Sequence, residues 1–255
     1  MSSSEVLLAF DTSTPVGSVA VSREGTILAR AVLLEAGEHA SHLVPMIAEV
    51  LEEADVARSR ITGIVAGRGP GSFTGVRIAA ATARGLCASL GIPLWPCSSL
   101  AAAAASYGAE LPESLESSAG SSTEPNAGSV EGRPRYVLFD ARADRVYGAC
   151  YRMSEEGMET LVDPHAATIG EVLEGALPED VVFCGDAVLR HRAVFEAAEH
   201  ECLSPPAGVP LAEGLLRVHA MSSGRDDMRV GARWQPEYLR GTSARRPSMR
   251  WSGSG

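Results

Sequence analysis

Four glycines lie between an apolar run and a helix-like segment, and their spacing decides which phosphate chemistry the chain could support. The loop reads Gly67-Arg68-Gly69-Pro70-Gly71-Ser72-Phe73-Thr74-Gly75-Val76-Arg77. Glycine tolerates positive φ and lets another group approach the backbone closely, and free N–H groups at a helix start bind anions. Two interpretations stay open: an anion-binding loop, or a tight strand-to-helix connection that needs glycine. The glycines concerned are Gly67, Gly69, Gly71 and Gly75.

Two nucleotide-binding motifs are excluded by residue types that the chain lacks. A P-loop needs a lysine that reaches the β- and γ-phosphates, but all 22 basic residues are arginines. The same absence excludes a Schiff-base lysine. A dinucleotide fingerprint needs an acidic residue about 20 positions after its glycines, and no Asp or Glu occurs from residue 76 to 109.

Composition is typical of a soluble globular protein, and the charge limits its partners. The chain has 255 residues, a formal net charge of −10 and five scattered cysteines without a C-x-x-C pair. We expect reduced, mostly buried thiols, a cytoplasmic location and no membrane segment. The acidic surface disfavours extensive nucleic-acid binding. Residues 225–255 are the exception, because this segment contains seven arginines and three acidic residues and so has a net charge of +4. A frayed tail and a local contact to RNA or an acidic partner both remain open.

The order of elements predicts an α/β protein with a mixed sheet, because three adjacent strands precede alternating helices and strands. Strands are predicted at 7–11, 17–22, 26–33, 61–66, 92–96, 136–140, 145–151 and 181–184. Helices are predicted at 41–54, 76–90, 99–106, 168–176, 188–200 and 211–221. Residues 110–134 are rich in Ser, Gly, Pro and Glu, which predicts a disordered linker. Phe10-Asp11 and Phe139-Asp140 each end a strand, which indicates a duplicated lobe.

Several motifs together resemble the TsaB (YeaZ) family. They are Phe10-Asp11-Thr12-Ser13, His42-Leu43-Val44-Pro45-Met46-Ile47, the loop from Gly67 to Arg77, Asp140-Ala141-Arg142 with Val146-Tyr147, and Pro236-Glu237-Tyr238-Leu239-Arg240. The resemblance implies the actin/Hsp70/sugar-kinase-like (ASKHA) fold, in which two duplicated lobes carry mixed sheets flanked by helices. We therefore expect an N-terminal lobe at 1–106 with partner-binding helices, a linker at 107–134, and a C-terminal lobe at 135–255 with an arginine-rich tail.

The resemblance also implies a function and a set of partners. Family members are non-catalytic partners of a TsaD-type catalytic subunit. With a TsaE-type ATPase they support transfer of threonylcarbamoyl to N6 of the adenosine adjacent to the anticodon, in tRNAs reading ANN codons. We expect a homodimer when the chain is alone, tRNA contact only through the complex, and no tightly bound cofactor. ATP or ADP and Mg²⁺ would bind only at the complex interface.

In catalytic relatives of this fold, a strand-end aspartate faces the phosphates and metal. Asp11, Thr12 and Ser13 match that place, with Asp140 as the counterpart in the second lobe. They would form a vestigial phosphate or nucleotide site, and the alternative is a turn or cap role. One glycine, Gly185, stands where an adenosine pocket usually shows two.

No catalytic residue and no metal site is expected in this chain. His39 and His42 share a spacing of three at the start of the first predicted helix, but a metal site needs three or more ligands. We interpret them as solvated histidines. No G-x-S-x-G motif occurs, so a peptidase function has no support. The alternative function is an ATP-dependent transferase or kinase that uses Asp11 and Asp140 around Mg²⁺.

The first two helices are the predicted partner surface, as the resemblance implies. On the second helix, Val76, Ala79, Ala83, Leu86, Cys87 and Leu90 share the face that should pack on the sheet. Ile78, Ala81, Gly85 and Ala88 lie opposite, where either a partner or another helix of this chain would cover them. The predicted interface residues are Leu43, Met46, Ile47, Val50, Phe73, Thr74, Arg77, Ile78, Ala81 and Gly85.

Overall fold

The computed structural model describes residues 4–34, 39–106, 108–109, 132–142 and 144–222. The predicted linker lies almost wholly outside the described residues, as do the arginine-rich tail and the motif from Pro236 to Arg240. None of the helices in the described part of the chain has both the length and the apolar character needed to cross a membrane.

The first sheet has five strands in the order β3-β2-β1-β4-β5. These are β1 (Val6–Asp11), β2 (Gly17–Arg23), β3 (Thr26–Leu33), β4 (Gly63–Gly67) and β5 (Leu94–Cys97). The first three strands form an antiparallel meander, and β4 and β5 run parallel to β1. All six residues of β1 are buried, because it is the central strand and both of its faces are covered.

The second sheet repeats this arrangement with four strands in the order β8-β7-β6-β9. They are β6 (Arg135–Asp140), β7 (Arg145–Ser154), β8 (Gly157–Thr168) and β9 (Val182–Cys184). Again three strands form an antiparallel meander, and the fourth runs parallel to the first of them. The duplicated topology confirms the predicted actin-like fold class, with two mixed sheets flanked by helices.

Seven α-helices are present among the described residues. They are α1 (His39–Glu53), α2 (Phe73–Leu90), α3 (Ser99–Ala105), α4 (Ile169–Leu173), α5 (Asp186–Arg190), α6 (Arg192–Ala197) and α7 (Ala212–Met221), besides a 3₁₀ turn at Arg58–Arg60. Helix α2 begins after Ser72, whose side chain accepts a hydrogen bond from the backbone N–H of Gly75. It ends at Gly91, whose φ of 68° gives a left-handed cap.

The two faces of the first sheet pack against different helices, since side chains alternate along each strand. Leu8 and Phe10 of β1 face α1 and α2. On α2, the predicted face is confirmed, because Val76, Ala79, Ala83 and Cys87 are buried and Leu86 and Leu90 pack on the same cluster. Leu7 and Ala9 of β1 face the opposite side, where they meet Ala212 and Leu215 of α7.

Helices α3 and α7 join the two sheets in one core. Leu100 of α3 packs against Val137 and Phe139 of the second sheet, while Ala102 of the same helix belongs to the cluster on the first sheet. The backbone N–H of Ala212, at the start of α7, donates to Ser18 Oγ of β2 at 2.9 Å. The lobes are therefore connected by packed helices as well as by the chain.

Two elements differ from the sequence prediction. The 12-residue strand β8 was not predicted. It lies at the edge of its sheet, is only partly buried, and contains Pro164, which sheets tolerate at an edge. The helix predicted at 188–200 is two short helices instead. They meet at His191, where φ is −115° and ψ is 24°, outside the helical range.

Candidate functional site

The glycine loop lies directly on the segment that follows β1. Thr12 Oγ1 donates to the carbonyl of Gly75 at 2.7 Å, and the N–H of Ser72 donates to the carbonyl of Ser13 at 2.6 Å. A Cβ added at Gly75 would overlap the carbonyl oxygen of Thr12, and one added at Gly71 would overlap the carbonyl of Ser13. The glycines are thus needed for close contact between two backbone segments.

Most of the loop N–H groups that could have bound an anion already donate to other groups of this chain. The N–H of Arg68 donates to Cys97 O at 2.9 Å, and that of Gly69 donates to Ser99 Oγ at 3.1 Å. The N–H groups of Gly75 and Val76 donate to Ser72. This geometry favours the second interpretation, a tight connection that needs glycine.

Asp11 is fully buried at the end of β1, beneath this loop. Its Oδ1 accepts from the N–H of Ser13 at 2.6 Å, and its Oδ2 accepts from Ser99 Oγ at 2.6 Å. A Cβ at Gly67 would overlap Oδ2. Burial raises the pKa of the Asp11 carboxyl, although the hydrogen bonds from Ser13 and Ser99 oppose the rise. Oδ1 holds the turn after β1 and Oδ2 holds the start of α3, so the geometry favours the structural role and does not fit Mg²⁺.

The counterpart in the second lobe is a group of three charged side chains. Asp140 Oδ1 accepts from the N–H of Arg142 at 2.8 Å, and its Oδ2 forms an ion pair with Arg190. The N–H of Asp140 donates to Asp186 Oδ1 at 3.0 Å. Burial raises the pKa of Asp186 to about 6, and the nearby charge of Asp140 adds to the rise. No group of three or more possible metal ligands occurs among the described residues.

His39 is buried, which corrects the interpretation of this histidine as solvated. Its Nε2 lies 2.9 Å from the carbonyl oxygen of Thr14. Its Nδ1 would lie 2.9 Å from a Cβ at Gly17. His42, by contrast, is half-exposed and lies 3.1 Å from Ser41 Oγ. His39 therefore ties the start of α1 to the turn after β1.

The outer surface of α1 and α2, here called the α1/α2 face, remains uncovered by described residues. Val44 and Phe73 are 60% and 54% exposed, and Ala81 and Gly85 are exposed on the same side of α2. The guanidinium of Arg77 lies 3.6 Å from the centroid of the Phe73 ring. No described helix of this chain covers the face, so the described residues do not support the intrachain alternative there.

Part of the predicted interface lies elsewhere. Four of its residues lie on the inner face of α1, where they are buried in the core of the first lobe and are not accessible to a partner; these are Leu43, Met46, Ile47 and Val50. Ile78 is half-buried and packs against the same core. The accessible members of the prediction are Phe73, Thr74, Arg77, Ala81 and Gly85, and Val44 joins them.

Two residues of these clusters were missed at the sequence level, Ser99 and Asp186. Both follow a strand that runs parallel to the strand carrying a predicted aspartate: β5 for Ser99 and β9 for Asp186. Parallel strands bring their C-terminal ends to one edge of a sheet, where ligands bind in open α/β sheets. Polar residues just after β5 and β9 were the available signal.

Comparison with known proteins gives a consistent set of relatives. A family model described as "TsaD: tRNA N6-adenosine threonylcarbamoyltransferase" matches residues 33–207. The tRNA threonylcarbamoyladenosine biosynthesis protein TsaB of Bacillus subtilis is 29% identical over 192 residues, which cover 74% of this chain and 75% of that protein. The TsaB protein of Escherichia coli is 32% identical over 153 residues, 60% of this chain and 57% of that protein.

Solved structures agree with these relatives. YeaZ from Pseudomonas aeruginosa is 30% identical, with a TM-score of 0.64 over 85% of this chain and 92% of that chain. A second Pseudomonas aeruginosa structure, of an uncharacterised protein with similarity to peptidase YeaZ, is 29% identical. Its TM-score is 0.69 over 92% of this chain and all of that chain. The similarity thus extends across both lobes.

Proposed function

Since the chain belongs to the TsaB (YeaZ) family, within the wider family that the TsaD model describes, we propose that it is a non-catalytic tRNA-modification subunit. It binds a TsaD-type catalytic subunit and, with a TsaE-type ATPase, supports threonylcarbamoyl transfer to N6 of the adenosine next to the anticodon. The observation that carries the proposal is the exposed apolar α1/α2 face in a chain of this family.

The chemistry of the face suits a protein partner. Val44 and Phe73 are large apolar side chains exposed to water, so their burial against a partner is favourable. Ala81 and Gly85 are small, so a second helix can approach α2 closely there. Within α2, no acidic residue interrupts the face. Protein–protein interfaces are depleted in charged residues at their centre and enriched in aromatic residues and arginine. Phe73 and Arg77 are residues of these two enriched types.

The contacts of the two strand-end aspartates support the non-catalytic part of the proposal. Asp11, which would face phosphate or metal in catalytic members of the fold, has both oxygens bonded within the chain. Asp140 is paired with Arg190. A nucleotide would have to displace these contacts before it reached either carboxylate. We therefore propose that ATP or ADP and Mg²⁺ bind only where this chain meets its catalytic partner.

The remaining partners follow from the same proposal. The isolated chain forms a homodimer through the α1/α2 face. In the complex, the catalytic subunit binds this face in place of the second copy of the chain. Contact with tRNA occurs through the complex, because the acidic chain repels phosphate backbones. The proposed site of action is the cytoplasm, where tRNA is modified.

Reconstitution tests the division of labour. With tRNA, ATP and an activated threonylcarbamoyl donor supplied throughout, threonylcarbamoyl incorporation is measured with this chain alone, with the TsaD-type and TsaE-type proteins alone, and with all of them together. We expect incorporation only in the complete mixture, and no ATP turnover by this chain alone. Transfer or ATP turnover by the isolated chain, in a preparation free of the partners, would establish the alternative of an active ATP-dependent enzyme.

A further inference from the structure

A cavity of about 280 Å³ lies between the lobes, outside the glycine loop and the α1/α2 face. The turn after β1 forms one wall, and α5, the start of α6 and the segment before α7 form the others. Most of its lining is apolar, and two charged residues interrupt it. The residues that matter are Pro15, Val16, Leu189, Val209, Asp186 and Arg192.

Asp186 brings a carboxylate with spare acceptor capacity to this cavity. Its Oδ1 accepts from the N–H groups of Asp140 and Ala187, at 3.0 and 2.9 Å. The backbone N–H of Asp186 also bonds to the carboxylate, and since a carboxylate offers about four acceptor sites, capacity for a ligand remains. Withdrawal of this charged group from water is costly for the folded chain. Such desolvated acids in a cleft are typical of binding sites, and burial has already raised the pKa of Asp186 to about 6.

Arg192 brings unused donors to the same cavity. Its Nη2 donates to Ser204 Oγ at 3.2 Å, and its Nη1 lies 3.7 Å from Glu196, one turn further along α6. Within the described part of the chain these are its partners. A guanidinium has five N–H donors, so capacity for a carboxylate remains.

The combination defines a ligand by its chemistry. The carboxylate of Asp186 suits a cationic N–H donor, and the remaining donors of Arg192 suit an anion. The apolar walls suit a hydrocarbon body between or beside the two charges. We propose that the cavity binds a small zwitterion with an aliphatic body, of the class of the aliphatic α-amino acids. Its ammonium group lies on Asp186, its carboxylate on Arg192, and its side chain against Val16 and Leu189.

The size of the cavity favours this class over larger ligands. About 300 Å³ is the lower end of the usual range for ligand pockets, so the space suits a compact molecule. Because both lobes contribute walls, an occupied cavity would also fix the lobes relative to each other. The inference stands apart from the proposed function, since it uses neither the α1/α2 face nor a partner subunit.

Calorimetric titration of the full chain with three compounds of matched body tests the proposal. L-leucine carries both charges, isoamylamine only the ammonium group, and 4-methylpentanoate only the carboxylate. We expect saturable binding of leucine, with each analogue at least tenfold weaker. Asp186→Asn and Arg192→Gln should each weaken leucine binding at least tenfold. Arg152→Gln is the control, because Arg152 pairs with Glu159 on the exposed side of β7.

Circular dichroism establishes that each variant is folded, and the two cavity variants are independent, so the test stands if one of them misfolds. The proposal is overturned if leucine shows no heat of binding up to millimolar concentration. It is equally overturned if either single-charge analogue binds as tightly as leucine, or if a folded Asp186→Asn or Arg192→Gln variant keeps the wild-type affinity.

Discussion

Thr12 and Gly75 are in direct contact although 63 residues separate them in the chain. The Thr12 hydroxyl donates to the Gly75 carbonyl at 2.7 Å, and the Thr12 carbonyl occupies the space that a Cβ at position 75 would need. Gly75 lies in the first turn of α2, so this contact fixes the start of the helix against the end of β1. The glycine loop therefore holds the start of α2 in place against the end of β1.

Alanine at two glycines of the same helix should have opposite effects. Gly75→Ala forces a methyl group into the Thr12 carbonyl and should destabilise the fold by about 3 kcal/mol. Gly85→Ala meets nothing within 4 Å and should stabilise the monomer by about 0.5–1 kcal/mol through helix propensity. Urea unfolding at low protein concentration measures both. Equal effects of the two substitutions would show that the loop does not depend on close contact.

Removal of one hydroxyl should expose the structural role of Asp11. Ser99→Ala takes away the donor to Asp11 Oδ2 and the acceptor of the Gly69 N–H. The buried groups left without partners should lower the free energy of unfolding by about 3 kcal/mol. Ser89→Ala, on the exposed side of α2, is the control and should change stability by about 0.5 kcal/mol or less. A Ser99→Ala variant as stable as the control would contradict this role.

Asp186 should make the protein less stable as the pH rises. Its pKa in the folded chain is about 6, above the value of about 3.9 for an unperturbed aspartate. Between these values the folded state holds more protons than the unfolded state, so stability is full below about pH 4 and declines up to about pH 6. A rise of this size corresponds to about 3 kcal/mol.

The variant Asp186→Asn isolates this effect, because it keeps an oxygen for the Asp140 and Ala187 N–H groups but carries no charge. At pH 7.5 it should unfold at higher denaturant concentration than the wild type, and the difference should vanish near pH 4. A variant that is less stable than the wild type at neutral pH would show that the charge of Asp186 is satisfied within the folded chain.

The sequence predicts the order of elements and the duplicated lobes well, because β1 and β6 are continuous apolar runs followed by Asp. It fails where the answer depends on distant contacts. The bond between Ser99 and Asp11 spans 88 positions, and Asp186 becomes significant only because β9 lies beside β6. The apolar stripe of Leu43 and Ile47 fits its own sheet as well as a partner, and only packing decides between them.

A charge on the α1/α2 face should dissociate the proposed homodimer without unfolding the monomer. Ala81 is exposed on α2, so Ala81→Glu is solvated in the monomer but buried without a partner on association. That burial costs on the order of several kcal/mol, and the dissociation constant should rise more than a hundredfold. Sedimentation velocity with thermal melting measures both properties. Ala198→Glu, exposed beyond the end of α6, is the control, and equal association of the two variants would move the interface elsewhere.

The most direct measurement is the binding of the TsaD-type catalytic subunit to the wild-type chain and to its Val44→Glu and Val194→Glu variants. Co-sedimentation measures this binding. Both valines are exposed large apolar residues, 60% and 47% accessible, but only Val44 lies on the α1/α2 face. The account predicts that the wild type and Val194→Glu form the complex, whereas a folded Val44→Glu variant does not. A Val44→Glu variant that binds as the wild type does, or a wild-type chain that does not bind the catalytic subunit, would contradict it.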